Sequence, residues 1–118
     1  MAQQEKITPQ NLEAEQSLLG SLIIDPQAML QVGDRIVASD CYSEKHQMIL
    51  EAMMDLARRH EPIDLTSLAN RLEEKHQLER IGGRTYLIHL SNAVPTASHV
   101  KHYADIVQKK STMRRLLT

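Results

Sequence analysis

The stretch NLEAEQSLLGSLIIDP, residues 11–26, combines the period of an amphipathic helix with a signal at each end. Asn11 is a good N-cap, and Asp25-Pro26 ends one helix and starts the next, because proline suits the first helical position. One side of the expected helix carries a stripe of regularly spaced residues: Leu12, Glu15, Leu18, Leu19, Leu22 and Ile23. The sequence therefore predicts a helix over residues 12–24.

The helical period continues through most of the chain, and strict alternation is absent, so no sheet is expected. In residues 26–36 the pattern predicts a short helix with Met29, Leu30 and Val32 inward. A longer helix over residues 43–60 has one apolar face: Met48, Ile49, Ala52, Met53 and Leu56. Three further helices are predicted: one capped by Asp64 with Leu65, Leu68, Ala69 and Leu72 inward, a short one over 85–91, and a long one over 98–118.

Composition limits the classes of protein to which the chain can belong. It has 118 residues, of which 42% are hydrophobic and 25% charged, as in a single soluble domain. The net charge of -1 gives no overall attraction to a nucleic-acid backbone. No apolar run is long enough for a membrane span, the start of the chain does not resemble a signal peptide, and the single cysteine fits a reducing compartment. These features predict a cytoplasmic protein.

Three glycines favour packing and turns over nucleotide binding. Gly20 costs about 1 kcal/mol relative to alanine within a helix, so a close helix crossing is expected there. Gly82-Gly83 is followed by Arg-Thr-Tyr, without the lysine of a phosphate-binding loop, and no buried strand precedes it. We therefore expect Gly82 to form a left-handed helix cap and Gly83 to allow close approach of the next helix.

No other pattern indicates catalysis. The chain has six histidines, but His99 and His102 share only a three-residue helical spacing and lack a third ligand. Cys41 has no base that can be identified from the sequence. We expect no catalytic, cofactor or metal site in this chain, which favours an interaction module.

Five segments together resemble the N-terminal domain of the bacterial replicative DNA helicase, the DnaB family. In chain order they are PQNLEAEQSLLGSLIIDP (9–26), ASDCYSEKHQMILEAMMDL (38–56), EPIDLTSLANRL (61–72), QLERIGGRTYLIHL (77–90) and NAVPTASHVKHYADIVQKKSTMRRLL (92–117). The resemblance covers about residues 8–118. The family usually has Asp-Phe-Tyr where Asp40-Cys41-Tyr42 stands, so we expect the core to be repacked there around Met48 and Met53.

The resemblance implies an all-α fold in three parts: a flexible tail of residues 1–10, a helical lobe of about five to six helices in residues 11–96, and the first arm of a helical hairpin in residues 97–118. A motor domain that uses ATP and Mg would lie downstream. The family resemblance further implies a non-catalytic domain that dimerises, contributes to a hexamer, and docks the C-terminal domain of primase. It would bind DNA weakly or not at all.

The last helix carries apolar residues over more than one face, which predicts contact with another helix or chain. The residues expected to mediate self-association or partner binding are Val100, Tyr103, Ile106, Val107, Lys110, Met113, Arg114 and Leu117. The alternative is an independent helical regulatory module that binds protein or nucleic acid. Its basic surface would comprise Arg58, Arg59, Lys109, Lys110, Arg114 and Arg115.

Overall fold

A computed structural model describes residues 8–117 and confirms an all-α fold with no strand in that range. The six helices are α1 (Leu12–Ile24), α2 (Ala28–Val32), α3 (Glu44–Arg58), α4 (Leu65–Glu74), α5 (Gly83–Ser91) and α6 (Val100–Leu116), and a short 3-10 turn (Ala38–Asp40) precedes α3. Most of the predicted tail, and residue 118 of the predicted hairpin arm, lie outside the described residues.

Helix α1 is the centre of the lobe, because α2, α3, α5 and α6 all pack against it. Its residues Leu18, Leu19 and Leu22 are fully buried. The predicted helix limits and N-cap are confirmed, since Asn11 Oδ1 accepts a hydrogen bond from the amide of Ala14 at 2.9 Å. The lobe is therefore built around the first helix that the sequence predicts.

The inward faces of α3 and α4 are confirmed, but the prediction for Leu30 is wrong. Leu30 on α2 is 80% exposed, whereas Met29 and Val32 are buried. Helix α2 has only five residues, and Ala28 joins Met29 and Val32 to fill its buried side. Cys41 and Met53 are fully buried and Met48 is half-buried, so all three contribute to the core.

Gly20 is the point of closest approach between α1 and α5. A Cβ atom at this position would lie 2.2 Å from the carbonyl oxygen of Leu90, far inside van der Waals contact. The close crossing predicted from Gly20 is therefore confirmed. Because the obstacle is backbone on a packed helix, it cannot rotate away as a side chain could.

The turn before α5 closes with a left-handed glycine, as predicted. Gly82 has φ +107, and the amide of Gly83 donates to the carbonyl of Leu78 at 2.8 Å, which is the 6→1 bond of a Schellman motif. The prediction that Gly83 allows close approach is wrong, since a Cβ there would have no neighbour within 4 Å. Gly83 instead supplies φ +72, while the tight contact is between Gly82 and Tyr86.

A buried carboxylate connects α1 to α3 and α5. Glu15 Oε2 accepts from the amide of Tyr42 at 2.5 Å, and Oε1 accepts from the amide of Ser43 at 3.3 Å. His46 Nδ1 lies 2.7 Å from Glu15 Oε1 and therefore carries the proton, since a carboxylate only accepts. His46 Nε2 lies 2.6 Å from the Tyr86 hydroxyl. One chain of contacts thus fixes the start of α3 against two other helices.

Helices α3 and α4 are joined by an ion-pair network centred on Asp55. Its Oδ2 lies 3.0 Å from Arg71 and 3.1 Å from Lys75, both on or next to α4. Burial acts to raise the pKa of Asp55, but the hydrogen bonds from Lys75 and Arg71 outweigh burial and hold the pKa below its usual value. Asp55 therefore stays ionised to a lower pH than an unpaired aspartate does.

Helix α6 packs along α1 as part of the same core, with the two helices antiparallel. Val100, Ala104 and Val107 are buried in the core cluster that also contains Leu18 and Leu22 of α1. The predicted boundary at residues 96 and 97 falls in the loop before α6, but most of α6 does not leave the lobe. The first three turns of α6 supply core side chains, so this part of residues 97–118 packs with the lobe, and the hairpin arm stays a prediction.

Gly20→Ala should destabilise the protein, although glycine to alanine normally stabilises a helix by about 1 kcal/mol. The added methyl group must push α1 and α5 apart, and overpacking of this kind costs typically about 1–3 kcal/mol. Urea unfolding followed by circular dichroism should show a lower midpoint. A midpoint at or above that of the unchanged protein would contradict the close crossing.

Glu15→Gln should lower the free energy of unfolding by about 1–3 kcal/mol, because the buried amides and His46 lose their charged acceptor. Glu13→Gln is the matched control, since Glu13 is exposed in the same first turn and reports only the lost interaction with the helix dipole. Equal changes in the urea midpoint of the two variants would show that the buried contacts contribute nothing specific.

Candidate association surface

Helix α6 has two stripes of residues at helical spacing, and only one of them faces the lobe. The buried stripe consists of Val100, Ala104, Val107 and Ser111. A second stripe, here called the α6 stripe, lies roughly 100° around the helix and consists of Tyr103, Ile106, Lys110, Met113 and Leu117. The α6 stripe contains five of the eight residues predicted for association; Val100 and Val107 lie on the buried stripe, and Arg114 is half-buried.

The predicted roles of Val100 and Val107 in association are corrected by the fold. Both side chains are buried against α1 and have at most 2% of their surface exposed. They gave the same apolar signal in the sequence as the residues of the α6 stripe. Their role is to anchor α6 to the lobe, because a buried side chain offers no surface to a partner.

Exposure increases along the α6 stripe towards its C-terminal end. Tyr103 and Ile106 are half-buried and pack against the core, whereas Met113 is 46% and Leu117 is 71% exposed. Leu116, which the sequence analysis did not select, is 78% exposed beside them. We call Met113, Leu116 and Leu117 the exposed end of α6. Clustered apolar residues of this kind are typical of interaction sites.

An open groove of about 280 Å³ adjoins the inner part of the α6 stripe. Its walls are formed by α1, by the loop after α5 and by α6; the residues that line it include Ala14, Ser17, Val94, Pro95, Tyr103 and Ile106. The groove extends the apolar surface of α6 towards the start of α1. The candidate surface is thus a groove that continues into an exposed helix end.

Charge is distributed unevenly between α6 and the rest of the chain. Helix α6 contains five basic residues and one acidic residue, so its net charge is +4. Since the whole chain carries -1, the remaining residues carry -5. The single acidic residue of α6, Asp105, is paired with Arg35. The candidate surface is therefore apolar with a basic border.

Several predicted basic residues are used within the lobe. Arg114 donates to the backbone carbonyls of Asp40 at 2.7 Å and Pro9 at 2.9 Å, so it helps to hold α6 to the lobe, and its role in partner binding stays a prediction. Arg58 is paired with Asp55 at 2.6 Å. Within residues 8–117, the side chains of Lys109 and Lys110 make no hydrogen bond or ion pair. Lys110 lies on the α6 stripe and Lys109 is next to it, so both supply positive charge at this surface.

Two buried polar clusters were not identified from the sequence. The first is Glu15 with His46, and the second is Asp40 with Ser111, whose hydroxyl donates to the Asp40 carboxylate at 2.8 Å. Only the first had a signal in the sequence, since Glu15 falls on the apolar stripe of α1, where a charged residue needs a partner. The partners themselves are distant in sequence.

The described residues contain no group of three or more potential metal ligands, and none of their helices is long and apolar enough to cross a membrane. Cys41 is fully buried, and burial, followed by the charges of Glu15 and Asp40, raises the pKa of its thiol. A thiol held neutral in this way is a poor nucleophile and a poor metal ligand.

Comparison with protein families matches residues 7–109 to the DnaB-like helicase N terminal domain. Among the similar curated proteins is the replicative DNA helicase DnaB of Geobacillus stearothermophilus, which is 45% identical over 96% of this chain and 25% of its own length. The replicative DNA helicase DnaC of Bacillus subtilis is 40% identical over the same shares of both chains. The chain thus spans about a quarter of the length of the curated relatives it matches.

Solved structures show the same relationship in three dimensions. The N-terminal domain of DnaB helicase from Mycobacterium tuberculosis has a TM-score of 0.90 and 40% identity over 94% of this chain and 80% of that structure. A DnaB-like replicative helicase, described together with its interactions with primase, has a TM-score of 0.81 and 29% identity over 91% of this chain and 25% of its own. The fold, the family model and the relatives agree, and the chain belongs to the DnaB-like helicase N-terminal domain family.

Proposed function

We propose that this domain is the non-catalytic assembly and docking module of a replicative DNA helicase. The observation that carries the proposal is the exposed apolar stripe of α6 on a chain of this family. In a lobe whose core is otherwise well filled, such a stripe is expected to be covered in the working assembly. The domain would contribute to dimer formation in isolation and to a hexamer in the parent protein.

Docking of primase is the second part of the proposal. One structure similar to this chain is described with its interactions with primase, which supports the same partner here. The basic border of α6 and the adjoining groove provide both charged and apolar contacts for a protein. The C-terminal domain of primase is the expected ligand, and docking would couple priming to unwinding.

Catalysis would belong to the remainder of the parent protein. The residues after Gly82-Gly83 lack the lysine that holds phosphates, and Gly82 is used as a helix cap. ATP and Mg would therefore bind in a motor domain elsewhere in the parent protein, which would act in the cytoplasm. The present domain would contribute contacts and no reacting groups.

The rival function is a regulatory module that binds nucleic acid through its basic residues. The positive charge of α6 favours it, but Arg58 and Arg114 are held by contacts within the lobe. The three tyrosines do not form a stacking platform, since Tyr86 is packed against His46 and Tyr103 against the core. These features support the assembly and docking function over the rival.

Replacing Met113 and Leu117 together by serine should weaken self-association, because both side chains are exposed on the α6 stripe. Truncation of interface hot spots costs on the order of 1–4 kcal/mol, enough to convert a weak dimer to monomer. Ile106 is left intact because it packs against the core. Sedimentation equilibrium measures the association, and circular dichroism should remain unchanged.

Leu30→Ser is the control for this variant, since Leu30 is also an exposed apolar side chain, at 80%, but lies on α2. The control should associate like the unchanged protein. Titration of all three proteins with the C-terminal domain of primase then tests docking. If the double variant dimerises and binds primase as tightly as the control does, the α6 stripe has no role in either contact.

Single-stranded DNA should bind more weakly than about micromolar at physiological salt, and the binding should fall as salt increases. The net charge of -1 and the internal pairing of Arg58 and Arg114 are the physical reasons. Fluorescence anisotropy with a labelled oligonucleotide gives the affinity. Tight binding that is lost in a Lys109→Gln, Lys110→Gln variant would favour the regulatory module instead.

A further inference from the structure

The two ends of α6 are attached to the lobe by different kinds of contact. Its first turns are anchored by apolar side chains, of which Val100, Ala104 and Val107 are buried. The next residue on the same face is Ser111, also buried, and its hydroxyl donates to Asp40 Oδ1 at 2.8 Å. From Ser111 onwards, hydrogen bonds replace apolar packing on this face.

Arg114 connects the last turn of α6 to two other segments of the chain. Its Nη2 donates to the carbonyl oxygen of Asp40 at 2.7 Å, and its Nη1 donates to the carbonyl oxygen of Pro9 at 2.9 Å. The guanidinium also lies 5.6 Å from the ring centre of Tyr42. Because Pro9 precedes α1 and Asp40 precedes α3, one side chain joins three separate parts of the lobe.

The Asp40 carboxylate is fixed independently of α6. Its Oδ2 accepts from the amide of Val37 at 2.9 Å within the 3-10 turn, and the residue is 5% exposed. Arg115 Nη1 lies 3.6 Å from Oδ1. Because the 3-10 turn holds the buried Asp40 carboxylate in place, the position of Asp40 sets the direction of the end of α6 that bonds to it.

We propose that Asp40, Ser111 and Arg114, here called the Asp40 clasp, are positioning residues that set the direction of the exposed end of α6. Hydrogen bonds are directional, and each contributes little net free energy compared with the burial of an apolar side chain. The clasp therefore fixes where Met113, Leu116 and Leu117 point, whereas the buried stripe of α6 holds the helix against the lobe. The effect of the clasp on association rests on the proposed function, but the clasp itself does not.

The clasp also determines how easily the C-terminal end of α6 opens locally. Regions held by few apolar contacts open at lower free energy than the core. The segment 111–117 can thus detach and reorient while α1, α3 and the first half of α6 stay packed.

The test is hydrogen exchange, resolved by NMR, on the Ser111→Ala, Arg114→Gln double variant of the chain. Amides of residues 112–116 should exchange about tenfold faster than in the unchanged protein, since two attachments are lost. Amides of Leu18 and Leu22 should change by less than about twofold. Lys109→Gln is the control, because it removes a cation from the same helix without altering the clasp.

Association of the same variants is measured by sedimentation. Faster exchange at the helix end together with weaker association supports both the clasp and the proposed function. Faster exchange with unchanged association supports the clasp and counts against the association role of the α6 stripe. Unchanged exchange at residues 112–116 overturns the clasp, whatever happens to association. If the double variant unfolds, Arg114→Gln alone gives the same test, because the buried Ser111–Asp40 bond remains.

Discussion

The buried carboxylate of Glu15 is the constraint on which the arrangement of the lobe depends. Glu15 lies on the central helix, and its carboxylate oxygens accept hydrogen bonds from two backbone amides at the start of α3 and from His46. An unpaired carboxylate at this depth would be strongly destabilising, so α1 and α3 have one register in which they can pack. His46 in turn contacts the hydroxyl of Tyr86, so the position of Glu15 also constrains α5. Apolar burial supplies the driving force for folding, and Glu15 selects among the possible packings.

The same division between apolar and polar contacts governs α6. Apolar side chains hold its first half in the core, while Ser111 and Arg114 attach its second half by hydrogen bonds. The two halves of α6 are thus attached to the lobe by contacts of different physical character, apolar burial in the first half and directional hydrogen bonds in the second.

Charge separation adds specificity to this surface. Helix α6 carries +4 and the remainder of the chain -5, although the whole chain is close to neutral. Arg58 is paired with the Asp55 carboxylate and Arg114 donates to backbone carbonyls, whereas Lys110 lies on the α6 stripe with Lys109 next to it. Charges at the edge of an apolar surface mainly steer association and select partners, and they contribute less to its strength.

The sequence by itself determined those features whose signal lies in residues close together in the chain. The limits of α1, the cap at Asn11, the left-handed turn at Gly82 and the close crossing at Gly20 all follow from period, side-chain chemistry or backbone conformation. The resemblance of five ordered segments likewise identified the family. The helix limits, the cap and the turn are local, and the crossing was inferred from the cost of a glycine inside a helix, so none of them required knowledge of the packing partner.

Tertiary structure alone decided which of the two stripes of α6 enters the core. Val107 and Met113 give the same signal in the sequence, because helical period shows that a face is apolar but does not show what will cover it. Packing on α1 buries Val107 and leaves Met113 exposed. The same reason explains Leu30, which is apolar and exposed, and Asp40, which is charged and buried, since its partner Ser111 lies 71 residues away in the chain.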